Sequence, residues 1–155
     1  MDLDERLSAN FTLREFVKSQ TAARKGIDNR PPAEAVDALR RLCAAVLQPA
    51  REALGPIIVT SGFRCEALNA AIGGSAQSQH CRGEAADIEA LSSEISNHAL
   101  AEWIKAHCPY DQLILECYSR GEPKSGWVHV SYVEPTPRRM ALTYTGGAYL
   151  QGLLA

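Results

Sequence analysis

Three residues with side chains that bind metals stand in two short segments of the chain. His80 and Asp87 lie seven positions apart in S-Q-H-C-R-G-E-A-A-D, a stretch without a regular hydrophobic period, and His129 lies in W-V-H-V-S-Y. Two histidines and one carboxylate suit catalytic zinc, which commonly takes three protein ligands and leaves its fourth position to water. A lone histidine in a strand is more often structural, and an H-x6-D spacing recurs by chance.

Strand alternation would bring the three candidate ligands to one face of a sheet. In A-A-D-I-E-A, Asp87 lies on the face opposite the aliphatic residues, and in W-V-H-V-S-Y the same holds for His129. If these two strands are neighbours, Asp87 and His129 can converge. Gly83 lets the preceding loop turn back, so His80 can join them.

Helices are predicted mainly in the first half of the chain and strands mainly in the second. A short amphipathic helix should end at Gly26, and a long one should start at Pro32 and be kinked or ended by Pro49. Ser92 or Ser93 should cap a later helix. Short β-rich runs predict strands at residues 57–60, 85–90, 112–117, 126–133 and 138–145. This order predicts an α+β fold with a small, mostly antiparallel sheet and helices packed on it.

Length and composition indicate one globular domain over residues 1–155, with 46% hydrophobic and 22% charged residues. A net charge of −2 gives no general field for nucleic acid. No apolar run approaches the roughly 18 residues of a membrane span, and the acidic N-terminus is unlike a secretory signal. We therefore expect a protein that is made in the cytoplasm without a signal peptide, has no membrane span and binds no nucleic acid.

The five cysteines form no CxxC pair, and their odd number argues against a disulfide framework. Cys81, beside His80, is the only one that invites a catalytic interpretation. Because no His/Asn pattern surrounds it, an incidental loop residue is the favoured alternative.

Several motifs, taken in order along the chain, resemble one enzyme family. S-x-H-x-x-G-x-A-x-D at residues 78–87, W-x-H at 127–129 and S-G-F-R at 61–64 resemble the zinc D-alanyl-D-alanine carboxypeptidases, which share the hedgehog/DD-peptidase fold. The similarity is to their small phage endolysin-like branch. It covers about residues 10–133 and leaves 134–155 as a C-terminal extension.

The resemblance implies roles for individual residues. It makes His80, Asp87 and His129 the ligands of one Zn²⁺ ion. It makes Arg64 a group that acts in catalysis by binding a substrate carboxylate or carbonyl. Ser78 and Trp127 are further substrate-binding candidates, although a residue such as Ser78 more commonly stabilises its loop.

The general base is where the sequence departs from this family pattern. Many relatives carry an acidic residue three positions before the last histidine, but residue 126 is glycine here. Glu116, at the end of Q-L-I-L-E, is the predicted base, with Glu122 in the following turn as the substitute. A glutamate at a strand edge can also be merely a solubilising charge.

The expected function is that of a zinc metallopeptidase cleaving peptidoglycan stem or cross-link peptides at D-amino-acid bonds. It would act as a monomer, as a D-Ala-D-Ala carboxypeptidase or as an endolysin-type endopeptidase. Its place of action would be the cell wall, after phage-type release or as part of a virion. The alternative is a non-catalytic zinc-binding or virion structural module with the same fold.

Overall fold

The computed structural model describes residues 1–155, and its central feature is a six-stranded sheet. The strands are β1 (Arg6–Ser8), β2 (Phe11–Thr12), β3 (Ile57–Ser61), β4 (Ala85–Ala90), β5 (Gln112–Glu116), β6 (Trp127–Ser131), β7 (Met140–Thr145) and β8 (Ala148–Gln151). β1 and β2 form a separate small sheet, and the others lie in the order β3-β4-β6-β5-β7-β8. Only the pairing of β5 with β7 is parallel. The predicted α+β fold with a mostly antiparallel sheet is confirmed.

Six α-helices, one 3₁₀ turn and one π turn precede or connect these strands. They are α1 (Leu13–Val17), α2 (Gln20–Lys25), α3 (Ala33–Leu42), a π turn (Cys43–Leu47), α4 (Gln48–Leu54), α5 (Glu66–Ala71), a 3₁₀ turn (Gln79–Arg82) and α6 (Asn97–His107). None of these helices combines the length and the apolar character that crossing a bilayer requires.

The long helix predicted from Pro32 continues past Pro49 and ends only at Leu54. Pro49 has no N–H to donate to the carbonyl of Ala45. The π turn, whose hydrogen bonds span one residue more than those of an α-helix, occupies this part of the helix and joins α3 to α4. The proline therefore stands where the helix is distorted, but it does not end the helix.

The two faces of the large sheet have different environments. Ile88 of β4 and Val130 of β6 are fully buried in one apolar core with side chains from α1, α3 and α6. Asp87 and His129 alternate with these residues and face the opposite side of the sheet. The core thus holds the strands in place, while the other face is free for polar side chains.

The start of α6 and the end of the chain differ from the sequence-based prediction. Ser96 caps α6, with its side chain accepting from the Ala99 amide, so the prediction of Ser92 or Ser93 was wrong. A start at residue 97 places Leu100 and Ile104 in the core. Residues 134–155 contribute β7 and β8 to the main sheet, although only one strand was predicted there.

Candidate metal centre

His80, Asp87 and His129 come together on the polar face of the sheet. Asp87 and His129 are direct partners in the antiparallel pairing of β4 with β6. One oxygen of the aspartate, Oδ1, lies 3.0 Å from Nδ1 of His129 and 3.5 Å from Nε2 of His80. One potential ligand atom from each residue lies within 4.8 Å of those from the other two.

His80 is held in one orientation by the turn that carries it. Ser78 caps the 3₁₀ turn and accepts a hydrogen bond from the His80 amide. The turn ends at Gly83 with a φ of +72°, a left-handed conformation in which the chain doubles back towards β4, as predicted. Ring atom Nδ1 lies 2.7 Å from the carbonyl oxygen of Gly62. Because a carbonyl only accepts, Nδ1 carries a proton, which leaves Nε2, the ring nitrogen on the side of Asp87, as the candidate ligand atom.

Asp87 is buried but ionised. Burial disfavours the charged carboxylate, but hydrogen bonds with His129 and His80 outweigh this effect and hold the pKa of the carboxyl well below its usual range. On its other oxygen, Oδ2, the carboxylate contacts Nη2 of Arg64 at 3.4 Å. A metal ligand must be deprotonated, and Asp87 meets this requirement at any ordinary pH.

The donor set fits a zinc ion. Ligand atoms about 2.0–2.1 Å from a tetrahedral zinc lie ~3.3 Å apart, close to the 3.0 and 3.5 Å that separate the aspartate oxygen from the two ring nitrogens. The carbonyl of Gly62 supplies the outer hydrogen bond that a metal-binding histidine usually makes. Two imidazoles and a carboxylate would also leave a coordination position for water or substrate.

A pocket of about 730 Å³ opens beside the three residues, and Ser78, Glu116 and His129 contribute to its walls. Glu116 lies at the end of β5, which pairs with β6 and places Ile114 opposite His129. Partial burial raises the pKa of Glu116, the nearby charge of His129 lowers it and that of Asp87 raises it further. The carboxyl is therefore a better proton acceptor than a fully solvated glutamate.

The other predicted site residues have different positions. Arg64 is mostly buried and donates to Ser61 and Asn69 as well as Asp87, on a side of the triplet that is not part of the pocket wall. Trp127 is opposite Glu116 in the β5–β6 pair, outside the pocket wall. Glu122 is exposed in the turn that follows β5.

A family model described as "Peptidase M15" matches residues 9–131, which is most of the chain. The chain belongs to the M15 peptidase family. No curated protein matches it significantly. The M15 peptidases are zinc-dependent hydrolases of peptide bonds, and the matched segment contains all three candidate ligands together with Arg64 and Glu116.

The absence of an acidic residue at position 126 of this M15 peptidase has a steric explanation. Gly126 has a φ of +62°, and a Cβ atom there would lie 1.9 Å from the carbonyl oxygen of Glu116. Its own carbonyl accepts a hydrogen bond from the buried side chain of Asn97 at 2.8 Å. The backbone at the start of β6 is packed too closely for any side chain, so a carboxylate for catalysis has to come from elsewhere.

Two further residues of the pocket wall, Asp111 and Arg138, were not identified from the sequence. The Asp111 carboxylate is buried and accepts hydrogen bonds from Gln79 and from both the side chain and the backbone of Arg138. Asp111 and Arg138 are 27 positions apart, and no local pattern connects them. The only signal was a charged residue directly before the apolar strand Q-L-I-L-E.

Proposed function

We propose that this M15 peptidase is a zinc-dependent enzyme that hydrolyses peptide bonds next to D-amino acids in the stem or cross-link peptides of peptidoglycan. The observation that carries the proposal is the His80–Asp87–His129 triplet beside a pocket that also holds Glu116. The family supports peptide hydrolysis. The peptidoglycan substrate is the part that the resemblance to D-alanyl-D-alanine carboxypeptidases adds.

In this proposal the three ligands hold the zinc, and the remaining residues handle the substrate and the proton. A zinc ion held by His80, Asp87 and His129 would supply a Lewis acid for the scissile carbonyl and for the attacking water. Glu116 accepts a proton from the attacking water and returns it to the leaving amine. Its raised pKa suits both steps, since a base that is too weakly basic cannot take the proton and one that is too strong cannot release it.

Arg64 has a positioning role in this proposal, alongside its predicted contact with substrate. Its guanidinium holds Oδ2 of Asp87 and is itself fixed by Ser61 and Asn69. A second contact of this kind orients a ligand and keeps it ionised. Ser78 maintains the turn that carries His80, and its place in the pocket wall leaves it accessible to substrate.

The proposal covers both modes of cleavage, removal of a terminal residue and cutting of an internal cross-link. It also places the action of the protein at the cell wall, after phage-type release or as part of a virion. The competing candidate is a zinc-binding module without turnover. Gly126, which stands where many relatives carry an acidic residue, is the observation that favours it.

The release of new amino groups from purified peptidoglycan separates these two functions. The zinc-loaded chain should release them, lose the activity after treatment with a chelator and regain it when zinc is restored. Zinc-loaded protein that releases none from walls of several chemical types would favour the binding module. A chain that remains fully active without metal would contradict the assignment to zinc.

A further inference from the structure

Arg138 is the most firmly oriented cation in the wall of the pocket. Its Nη2 atom donates to Oδ2 of Asp111 at 2.7 Å, its Nε donates to Oδ1 at 3.0 Å, and its backbone amide donates to Oδ1 at 2.9 Å. The partner carboxylate is nearly fully buried, whereas the Arg138 side chain is 53% exposed. One edge of the guanidinium is thus fixed by the protein, and the half-exposed side chain lines the pocket.

The free edge of this guanidinium has hydrogen-bonding capacity that the protein does not use. Nη1 of Arg138 makes no hydrogen bond within the chain, and Nη2 has a second N–H in addition to the one directed at Asp111. A planar guanidinium with two unused donors at one edge matches the two oxygens of a carboxylate. The entropy of ordering this side chain has already been lost in the free protein, which favours binding.

The two other arginines near the site are less suitable for an incoming anion. Arg64 is mostly buried and already contacts Asp87, Ser61 and Asn69. Arg82 is exposed at the rim, where its Nε donates to Glu84 at 2.6 Å. Only Arg138 combines a buried anchor with an exposed edge in the pocket wall.

We infer that Arg138, held by Asp111, forms an anion subsite of the pocket that binds a carboxylate of the substrate peptide. The inference rests on the proposed peptidase function and specifies its substrate, a peptide with a free carboxylate away from the bond that is cleaved. That carboxylate is either the C-terminal one or an acidic side chain of the stem peptide. Neither Asp111 nor Arg138 is among the residues for which the family resemblance implies a role.

The subsite is connected to the metal centre through one side chain. Gln79 donates to Oδ2 of Asp111 at 2.9 Å and directly precedes His80 in the 3₁₀ turn. The same buried carboxylate therefore positions both the arginine and the ligand-bearing turn. This shared anchor fixes the anion subsite relative to the turn that carries His80.

Binding of matched peptides tests the subsite without depending on turnover. Calorimetry would use the full chain carrying Glu116→Gln, supplemented with zinc, so that peptides are not consumed. The probes are a synthetic stem peptide ending in D-alanyl-D-alanine, its C-terminal amide, and a version in which the free carboxylate of the D-glutamate residue is amidated. We expect one of the two neutralised peptides to bind at least about tenfold more weakly than the parent, and this identifies which carboxylate is bound.

Substitution of Arg138 should then remove that discrimination. Adding Arg138→Gln should bring the affinity ratio of charged and neutralised peptides close to one. Adding Arg139→Gln is the matched control, because Arg139 bonds to backbone carbonyls at the end of α6 and is not in the pocket wall. Both changes cost some stability, but only the first should change the ratio. If Arg138→Gln does not fold, Arg138→Lys, which keeps the charge without the fork, should show a reduced ratio.

Several results would overturn the inference. One is equal binding of all three peptides to the parent protein. Another is an unchanged affinity ratio of charged to neutralised peptide in folded Arg138→Gln. A third is loss of that affinity ratio in Arg139→Gln or Arg82→Gln. Discriminating binding together with no hydrolysis by the wild type would leave the subsite intact and reject only the peptidase function. Absence of binding of all three peptides would reject the subsite, whereas the peptidase function would still be decided by the release of amino groups from peptidoglycan by the wild type.

Discussion

The position of His129, one of the three candidate ligands, is set by the pairing of its strand with a neighbouring strand. His129 faces Asp87 across the β4–β6 pair, so two residues 42 positions apart are fixed at contact distance. His80, by contrast, is oriented locally by its cap and by the carbonyl of Gly62. The geometry of the three ligands therefore combines one local turn with one long-range strand pairing.

His129→Ala should abolish stoichiometric zinc binding, because it leaves only two protein ligands where a catalytic zinc needs three. Metal analysis after dialysis should find about one zinc per wild-type chain and far less in the variant. His107→Ala is the control, since His107 is exposed near the end of α6, stacks on Trp103 and should not affect the metal. Full zinc content in His129→Ala would contradict the ligand assignment.

The sequence identified the side chains with metal-binding chemistry but not all of the residues that position them. His80, Asp87 and His129 were predicted from residue type, strand alternation and a family motif, and the structure brings them together. Glu116 was selected because it ends an anchored strand, and it does lie in the pocket wall. The Asp111–Arg138 pair could not be foreseen, because its contacts depend on how the C-terminal segment folds back on β5.

At the scale of elements, the hairpin of β5 and β6 determines where a catalytic carboxylate can be. Gly126→Ala should be strongly destabilising, because its Cβ would clash with the Glu116 carbonyl and its φ of +62° disfavours any side chain. Gly121→Ala, in the same connection, has a φ of +83°, but a Cβ added there would have no atom within 4 Å, so it should cost only the ~1–2 kcal/mol of the backbone conformation. Urea denaturation should show a larger loss of unfolding free energy for Gly126→Ala. Equal losses of unfolding free energy in the two variants would mean that the close approach of Gly126 to the Glu116 carbonyl does not limit the side chain at position 126.

Asp111, directly before β5, holds the segment 136–140 against that strand. This contact should make the free energy of unfolding depend on pH. Hydrogen bonds from Arg138 lower the pKa of Asp111 to about 2, despite its burial. Its folded pKa lies below the unfolded value of 3.8, so the contribution to stability is complete above pH ~4 and is lost as the pH falls through about 2. The shift corresponds to at most about 2 kcal/mol, because the Arg138 side chain is 53% exposed and solvent screens the pair.

Asp111→Asn should therefore be less stable than the wild type by up to this amount at neutral pH, with the difference shrinking as the pH falls towards 2. Chemical denaturation at a series of pH values measures it. A difference that does not change between pH 7 and pH 2 would show that the charge of Asp111 is not what holds the segment.

Helix and strand boundaries could be predicted where the hydrophobic periodicity of the sequence is strong. They could not be predicted where tertiary packing determines the boundary. The predicted strands at 57–60 and 85–90 correspond to β3 and β4. β8 was missed because its four residues are all exposed and show no alternation. The cap of α6 was placed too early because three serines precede that helix, and only its packing on the sheet selects Ser96.

At the scale of the whole molecule, the sheet separates structural from chemical residues. One face is buried under helices, and the other carries Asp87, His129 and Glu116, of which His129 and Glu116 line the pocket of about 730 Å³. The C-terminal strands β7 and β8 extend this sheet beyond the segment that matches the family. Tyr149 of β8 and Arg138, just before β7, complete the pocket wall. The pocket beside the candidate metal centre is therefore lined mainly by the matched segment and is completed by residues outside it.

The rate at which Glu116→Gln releases amino groups from peptidoglycan tests the central claim most directly. The substitution keeps the size of the side chain but removes its ability to accept a proton. The variant should keep one zinc per chain and lose ~10²–10⁴-fold in rate, whereas Glu122→Gln, in the exposed turn, should remain close to the wild type. Wild-type rates in Glu116→Gln at equal zinc content would contradict the account, and so would a wild type that releases no amino groups when fully loaded with zinc.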